Sequence, residues 1–193
     1  MLERKTIFTA PFAALLLFAS CTGGNTTSQN TELLAHHTAM MKTDSLNKAQ
    51  ETTAKAIYDM VNASGTADIE NLVAPDFTDH QADTSLKSTG IQLFKDEVAM
   101  FRTAFPDFHQ DIMGMATNGD RTYVLLHITG TNTGAWGNMP ATGKAIDVMG
   151  ADVIRFANGK AAEHWGYMEE MKVMAQLGLW PAVAAPAKDA KKK

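Results

Sequence analysis

The feature that most constrains this chain is a change of period at Pro106. Before it, apolar residues recur at spacings of three and four; after it, they alternate. Ile91, Phe94, Val98 and Phe101 share one stripe of a helix expected over about Gly90 to Phe105, which Pro106 ends. Beyond the proline, "DFHQDIMGMAT" and "RTYVLLHITGT" flank Asn118-Gly119-Asp120, and "KAIDVMGADVIRF" meets "KAAEHWGYMEE" across Asn158-Gly159. Asn-Gly between alternating runs marks a hairpin. An earlier helix is expected from a cap at Asp44 or Ser45, carrying Ala49, Ala56, Ile57, Met60 and Val61 inward, with a short second helix in "TADIENLV". Helices first and an antiparallel meander after predict an α+β domain whose helices cover one face of a curved sheet. Such a sheet leaves a concave mouth for a small ligand.

The ends read differently. Arg4 and Lys5 precede an apolar stretch, Ile7 to Phe18, too short for an ordinary transmembrane helix. "FASC" then places small residues before Cys21, the only cysteine. This stretch resembles a bacterial lipoprotein signal, which implies cleavage after residue 20, acylation of Cys21, and an exported protein anchored at the cell envelope. Residues 21–43 are expected to be a flexible tether and residues 181–193 a disordered Ala/Pro/Lys tail, leaving a domain over 44–180. The chain of 193 residues has a net charge of −4, and its one run of positive charge is Lys191, Lys192 and Lys193. Nothing in that balance points to nucleic acid.

Counting outward from Asn158-Gly159 as a regular two-residue turn pairs Ala157 with Lys160 and sets Asp152 opposite Trp165, Gly150 opposite Tyr167, and Val148 opposite Glu169. One face would then hold Asp152, Glu163, Trp165, Tyr167 and Glu169, and the other Val153, Arg155, His164 and Met168. Three acids beside aromatics suit a wet pocket better than a sealed core. The opposite face is no better as a dry core, so periodicity leaves the choice of face open. His80 reads as a pocket acid, base or donor, or as a hydrogen-bonded supporting residue. His127 lies on a largely apolar strand as a wall residue. No His/Cys/Asp group has metal-ligand spacing, and no phosphate-cradling glycine loop precedes a helix.

"FTDHQ", Gly90, "FPDFHQDI", "GTNTGAWGNMPATGK" and "DVIRFANGKAAEHWGYMEEMKVMAQLG", in that order, resemble the SnoaL-like polyketide cyclases (ester cyclases) of the nuclear-transport-factor-2-like superfamily. The resemblance implies a cone-shaped α+β fold around a deep pocket, a homodimer, and ring closure by an aldol reaction with no cofactor or metal. It assigns the proton-abstracting acid to Glu169, where the family has aspartate, and sets Asn132 where the family has histidine. Asparagine can donate to an oxyanion but cannot shuttle a proton. On this reading Glu169, His80 and Asn132 are the catalytic candidates, and Trp165, Tyr167, Asp152 and His127 line the ligand site. The competing reading is a lipoprotein that binds a small apolar molecule without chemistry.

Overall fold

A computed structural model describes residues 26–180. Cys21, the expected lipidation site, the expected signal stretch and the Ala/Pro/Lys tail lie outside the described residues. The chain divides into two units, Met1–Ala39 and Met40–Lys193. In the first, residues 26–39 are helical with Leu33 and Leu34 exposed, and Thr38 Oγ1 donates to the Leu34 carbonyl at 2.9 Å. This corrects the expected tether: helix α1 runs Thr26–Asn62 rather than starting at Asp44. Glu32, Leu33, Leu34, Ala35, Ala39, Met40 and Met41 are good helix formers, and they outweigh the Thr and Asn around them. Everything below belongs to the second unit.

From Met40 onward α1 buries Ala54, Ile57, Tyr58 and Val61 at helical spacing. "TADIENLV" supplies only a 3-10 turn, Ile69–Asn71, before strand β1, Val73–Asp79. Helix α2 spans Gly90–Ala104, and Gly90 is obligatory: its φ is +61°, and a Cβ would lie 2.3 Å from the Pro75 carbonyl oxygen. Strands β2 (His109–Asn118), β3 (Arg121–Thr131), β4 (Ala145–Ala157) and β5 (Lys160–Met168) form the meander, and α3 (Glu170–Leu177) closes the fold. The sheet order is β1-β5-β4-β3-β2. Only β1 departs from the expected antiparallel pairing, joining β5 in parallel. The helices-then-meander reading therefore holds as an α+β fold with the sheet mixed at one edge.

Alternation decides the buried face. Ile146, Val148, Gly150, Asp152, Ile154 and Phe156 of β4 are buried, as are Thr122, Val124, Leu126, Ile128 and Gly130 of β3. At the tip Asn158 (φ 52°) and Gly159 (φ 78°) are both left-handed, as a type I′ hairpin turn requires. Ala157 pairs with Lys160 as the regular count expects, but the register shifts between Arg155 and Phe156. Phe156 faces Ala161, Arg155 faces Glu163, and Ala162 is the extra residue of a bulge. Every later pair is displaced by one: Asp152 lies opposite Gly166 rather than Trp165, and Gly150 opposite Met168 rather than Tyr167. Because strand side chains alternate, that single slip exchanges the two faces of β5.

Candidate functional site

Between the helices and the buried sheet face lies a cavity of about 560 Å³. Phe77, Phe94, Val98, Phe101, Phe108 and Ile154 give it mostly apolar walls. Its polar wall is built by three strands and a helix. The inward face of β4 brings Asp152, the bulged β5 brings His164, and β1, paired Asp79 to His164, brings Asp79. Tyr58 reaches in from α1, one residue beyond Ile57 on that helix's buried stripe.

His164 Nδ1 lies 2.5 Å from Asp79 Oδ2, and its Nε2 lies 3.4 Å from Asp152 Oδ2. Tyr58 donates its hydroxyl to the same Asp152 oxygen at 2.6 Å. The side chains of Asp79, Asp152 and His164 are only 8%, 11% and 25% exposed. Burial pulls the imidazole toward its neutral form, but the hydrogen bonds and charges of Asp152 and Asp79 outweigh it and raise His164 to about 10. The ring is therefore an imidazolium held between two carboxylates. Burial, then the charge of Asp152 and the hydrogen bond to it, push the Tyr58 phenol well above its ordinary range, so it stays a proton donor. Gly166 leaves the space the ring occupies: a Cβ there would lie 2.8 Å from His164 Cε1.

Glu97 and Arg102 line the cavity from α2. Burial, then the charge of Asp79, raise the Glu97 carboxyl to about 7, a shift the positive His164 partly opposes.

Of the residues expected to form the site, only Asp152 and Tyr167 border the cavity, and Tyr167 is 57% exposed, paired with Ala151 on the outward parity. Trp165, opposite Val153, points away and stacks its ring on His80 at 4.3 Å. His80 Nε2 lies 2.9 Å from Glu163 Oε2, and Arg155 Nε donates to Glu163 Oε1 at 2.8 Å, so this group is a polar cluster on the outer face. His127 is likewise outside, 2.9 Å from Asp147 Oδ1.

Glu169 does not line the cavity. It precedes α3, its side chain is 44% exposed, and its Oε2 accepts from the Met149 N–H at 2.9 Å and from Lys172 Nζ at 3.0 Å. Those two bonds hold its carboxyl below the ordinary range, the opposite of what a base in an apolar site needs. Asn132 is buried, 1% exposed, but away from the cavity lining. It ties a loop: Nδ2 donates to the carbonyls of Gly134 (2.9 Å) and Ala104 (3.3 Å), while Oδ1 accepts from the N–H and hydroxyl of Thr142. An amide with both ends so engaged has nothing left for an oxyanion.

The sequence reading passed over Tyr58, Asp79, Glu97 and His164. Two signals were available for them. Ala161-Ala162, two small residues side by side where alternation was due, marks the bulge that turns His164 inward. Glu97 lies three after Phe94 and four before Phe101, inside an apolar stripe where a carboxylate has no packing role.

Comparison with known proteins agrees with this architecture. No curated protein sequence matches the chain. Among solved structures it is similar to TsrD from Streptomyces laurentii, with 16% identity, TM-score 0.63, and 69% of this chain and 97% of that one covered. A SnoaL-like polyketide cyclase from Agrobacterium tumefaciens aligns at 15% identity and TM-score 0.58, covering 67% and 98%. A protein assigned as a polyketide cyclase from Bacillus cereus aligns at 24% identity and TM-score 0.58, covering 68% and 81%. At such identities the likeness establishes the fold. The family is established by sequence: residues 51–177 match the SnoaL-like polyketide cyclases, a span that runs from α1 through α3 and includes every residue of the cavity's polar wall, and the chain belongs to that family.

Proposed function

We propose that the cavity takes a small, largely apolar carbonyl compound and that its polar wall carries out cyclase- or isomerase-type proton transfer with side-chain acids and bases. The observation that supports this reading is the imidazolium of His164 held between Asp79 and Asp152 on the wall of a mostly apolar cavity. Asp152 is the acceptor. The C–H bond beside the carbonyl breaks, its proton passes to the Asp152 carboxylate, and the electron pair moves onto the carbonyl oxygen as an enolate. The fixed positive charge of His164 steadies that enolate in a site of low dielectric. Tyr58 and Asp79 are positioning residues, one holding Asp152 and the other the imidazole.

The test is deuterium uptake at the α-carbon of an aryl methyl ketone in D2O, followed by proton NMR. The protein should accelerate exchange, and Asp152→Asn should lower the rate by about two to four orders of magnitude while circular dichroism stays unchanged. A folded Asp152→Asn variant that exchanges at the wild-type rate sinks the reading. Saturable ketone binding with no exchange above buffer would favour the non-catalytic binder.

Two further readings extend this one. Export and acylation at Cys21 rest on "FASC" alone; Cys21→Ser should move the protein from the membrane to the soluble fraction, and a variant that still takes up labelled fatty acid refutes them. A homodimer is supported by the outer sheet face, where Tyr123, Leu125 and Tyr167 are each about half exposed, large and apolar. Leu125→Glu should convert a dimer to a monomer in sedimentation velocity, and a wild-type monomer removes the proposal.

A further inference from the structure

We propose that Glu97 is a second proton-handling residue of the cavity, working from the wall that helix α2 supplies. The inference rests on the proton-transfer reading above and extends it from one acid–base group to two.

The geometry carries it. Glu97 lies on α2 among Phe94, Val98 and Phe101, all of which line the cavity with it. The other cavity acids are engaged or solvated. Asp79 holds His164, Asp152 holds Tyr58, Asp83 accepts from the Ser85 N–H at 2.8 Å, and Glu170 is exposed. Glu97 alone faces the cavity partly buried with no hydrogen bond to commit it. The charges acting on it are those of Asp79 and Asp83, which raise its pKa, and that of His164, which lowers it. Arg102 also lines the cavity, but it donates to the carbonyls of Phe108 (2.7 Å) and Val61 and is occupied there.

An uncommitted carboxyl in apolar surroundings beside two acids keeps a large share of its protons up to about pH 7. It can give that proton to a ligand oxygen and take it back. The step balances. Asp152 takes the α-proton as the Glu97 carboxyl protonates the carbonyl oxygen, leaving an enol, a protonated Asp152 and a Glu97 carboxylate. When the enol carbon bonds to a second carbonyl, the enol O–H proton returns to Glu97 and the Asp152 proton goes to the new alkoxide. Both groups end as they began.

The experiment is the pH profile of ketone exchange, with a carboxyl titration of the 13C-glutamate-labelled protein assigned by comparison with Glu97→Gln. Wild-type exchange should fall above about pH 7 as Glu97 ionises. Glu97→Gln should be at least tenfold slower at pH 6 and lose that alkaline limb, and Glu97→Asp should restore the limb at a reduced rate. Glu97 should titrate near neutrality, and higher still with the ketone bound. Exchange abolished by Asp152→Asn but with an identical pH profile in Glu97→Gln overturns this inference and leaves the function reading standing. Exchange indifferent to Asp152→Asn overturns the function reading instead. A Glu97 that titrates in the ordinary carboxylate range, with and without ketone, overturns the inference whatever the kinetics show.

Discussion

The two faces of β5 carry similar residues one position apart. Inward, His164 meets Asp79 and Asp152; outward, Trp165 stacks on His80 beside Glu163 and Arg155. Each face pairs an imidazole with carboxylates, but at different depths. On the inner face the carboxylates are about a tenth exposed, so charge is costly and must be matched within the protein. On the outer face the His80 and Glu163 side chains are 37% and 28% exposed, and water screens what the pair would otherwise gain. The same residue types therefore act as a charge-holding device inside and as a solvated surface cluster outside. Depth distinguishes them, and a single bulge residue sets the depth.

The largest expected effect comes from removing the inner imidazole. His164→Ala leaves Asp79 and Asp152 facing each other without their cation, a loss of about 3–5 kcal/mol in urea denaturation. Trp165→Ala removes a far larger side chain from the next position but should cost less, about 1 kcal/mol from the lost ring stacking plus modest packing. If the tryptophan proves the costlier of the two, the assignment of faces is wrong. The comparison sharpens with pH. The folded-state pKa of His164 is raised, so its contribution is fully present below the unfolded imidazole value of about 6.5. It is lost as pH rises through about 10. The gap between wild type and His164→Ala should therefore close progressively between those limits. A gap that widens with pH would mean the ring is neutral in the native protein.

A smaller and opposite effect is expected at Glu97. Its folded-state pKa is also raised, to about 7, but its charged form is the disfavoured one. The carboxyl costs the fold nothing while protonated and becomes a burden as pH climbs from the unfolded range through 7. Glu97→Gln should thus match wild type near pH 4.5 and melt higher above pH 7. A variant that melts lower than wild type at pH 8 would show that the carboxylate has a stabilising partner after all.

How much of this was legible before the structure depends on the distance over which a signal acts. The break at Pro106, both Asn-Gly turns and the α2 stripe are local, and each element formed where the alternation and the turn chemistry placed it. Ala157 opposite Lys160 was likewise right, because a type I′ turn fixes the first pair. The error entered two residues after Lys160, where Ala162 bulges. Register beyond a bulge depends on which face the rest of the sheet buries, and that is a tertiary fact. Asp152 survived the slip because β4 kept its parity; Trp165 did not, because it lies beyond the bulge on β5, and Glu169, the residue after that strand, was displaced with it. The quoted "FTDH" held the right pair with the wrong member chosen: Asp79 turns inward and His80 outward. Asn132 was misread for a different reason. The family resemblance set it at a catalytic position, but four hydrogen bonds to its side chain make it a loop clamp here.

The smallest effect is expected where the family resemblance pointed most firmly. Glu169 sits at the start of α3, where its carboxylate accepts the Met149 N–H and the Lys172 ammonium in the open. The first of these does most to lower its pKa, so any stability it lends exists above the unfolded carboxyl range and fades as pH falls. Glu169→Gln keeps an oxygen that can accept from Met149 and removes only the charge. Melting curves of variant and wild type should nearly coincide at pH 7 and converge fully in acid. Ketone exchange should be unchanged, because no atom of Glu169 borders the cavity. A loss of exchange as large as that of Asp152→Asn would show that α3 swings to bring Glu169 inward when ligand binds. The inner and outer faces would then be two states of one site rather than two regions of the molecule.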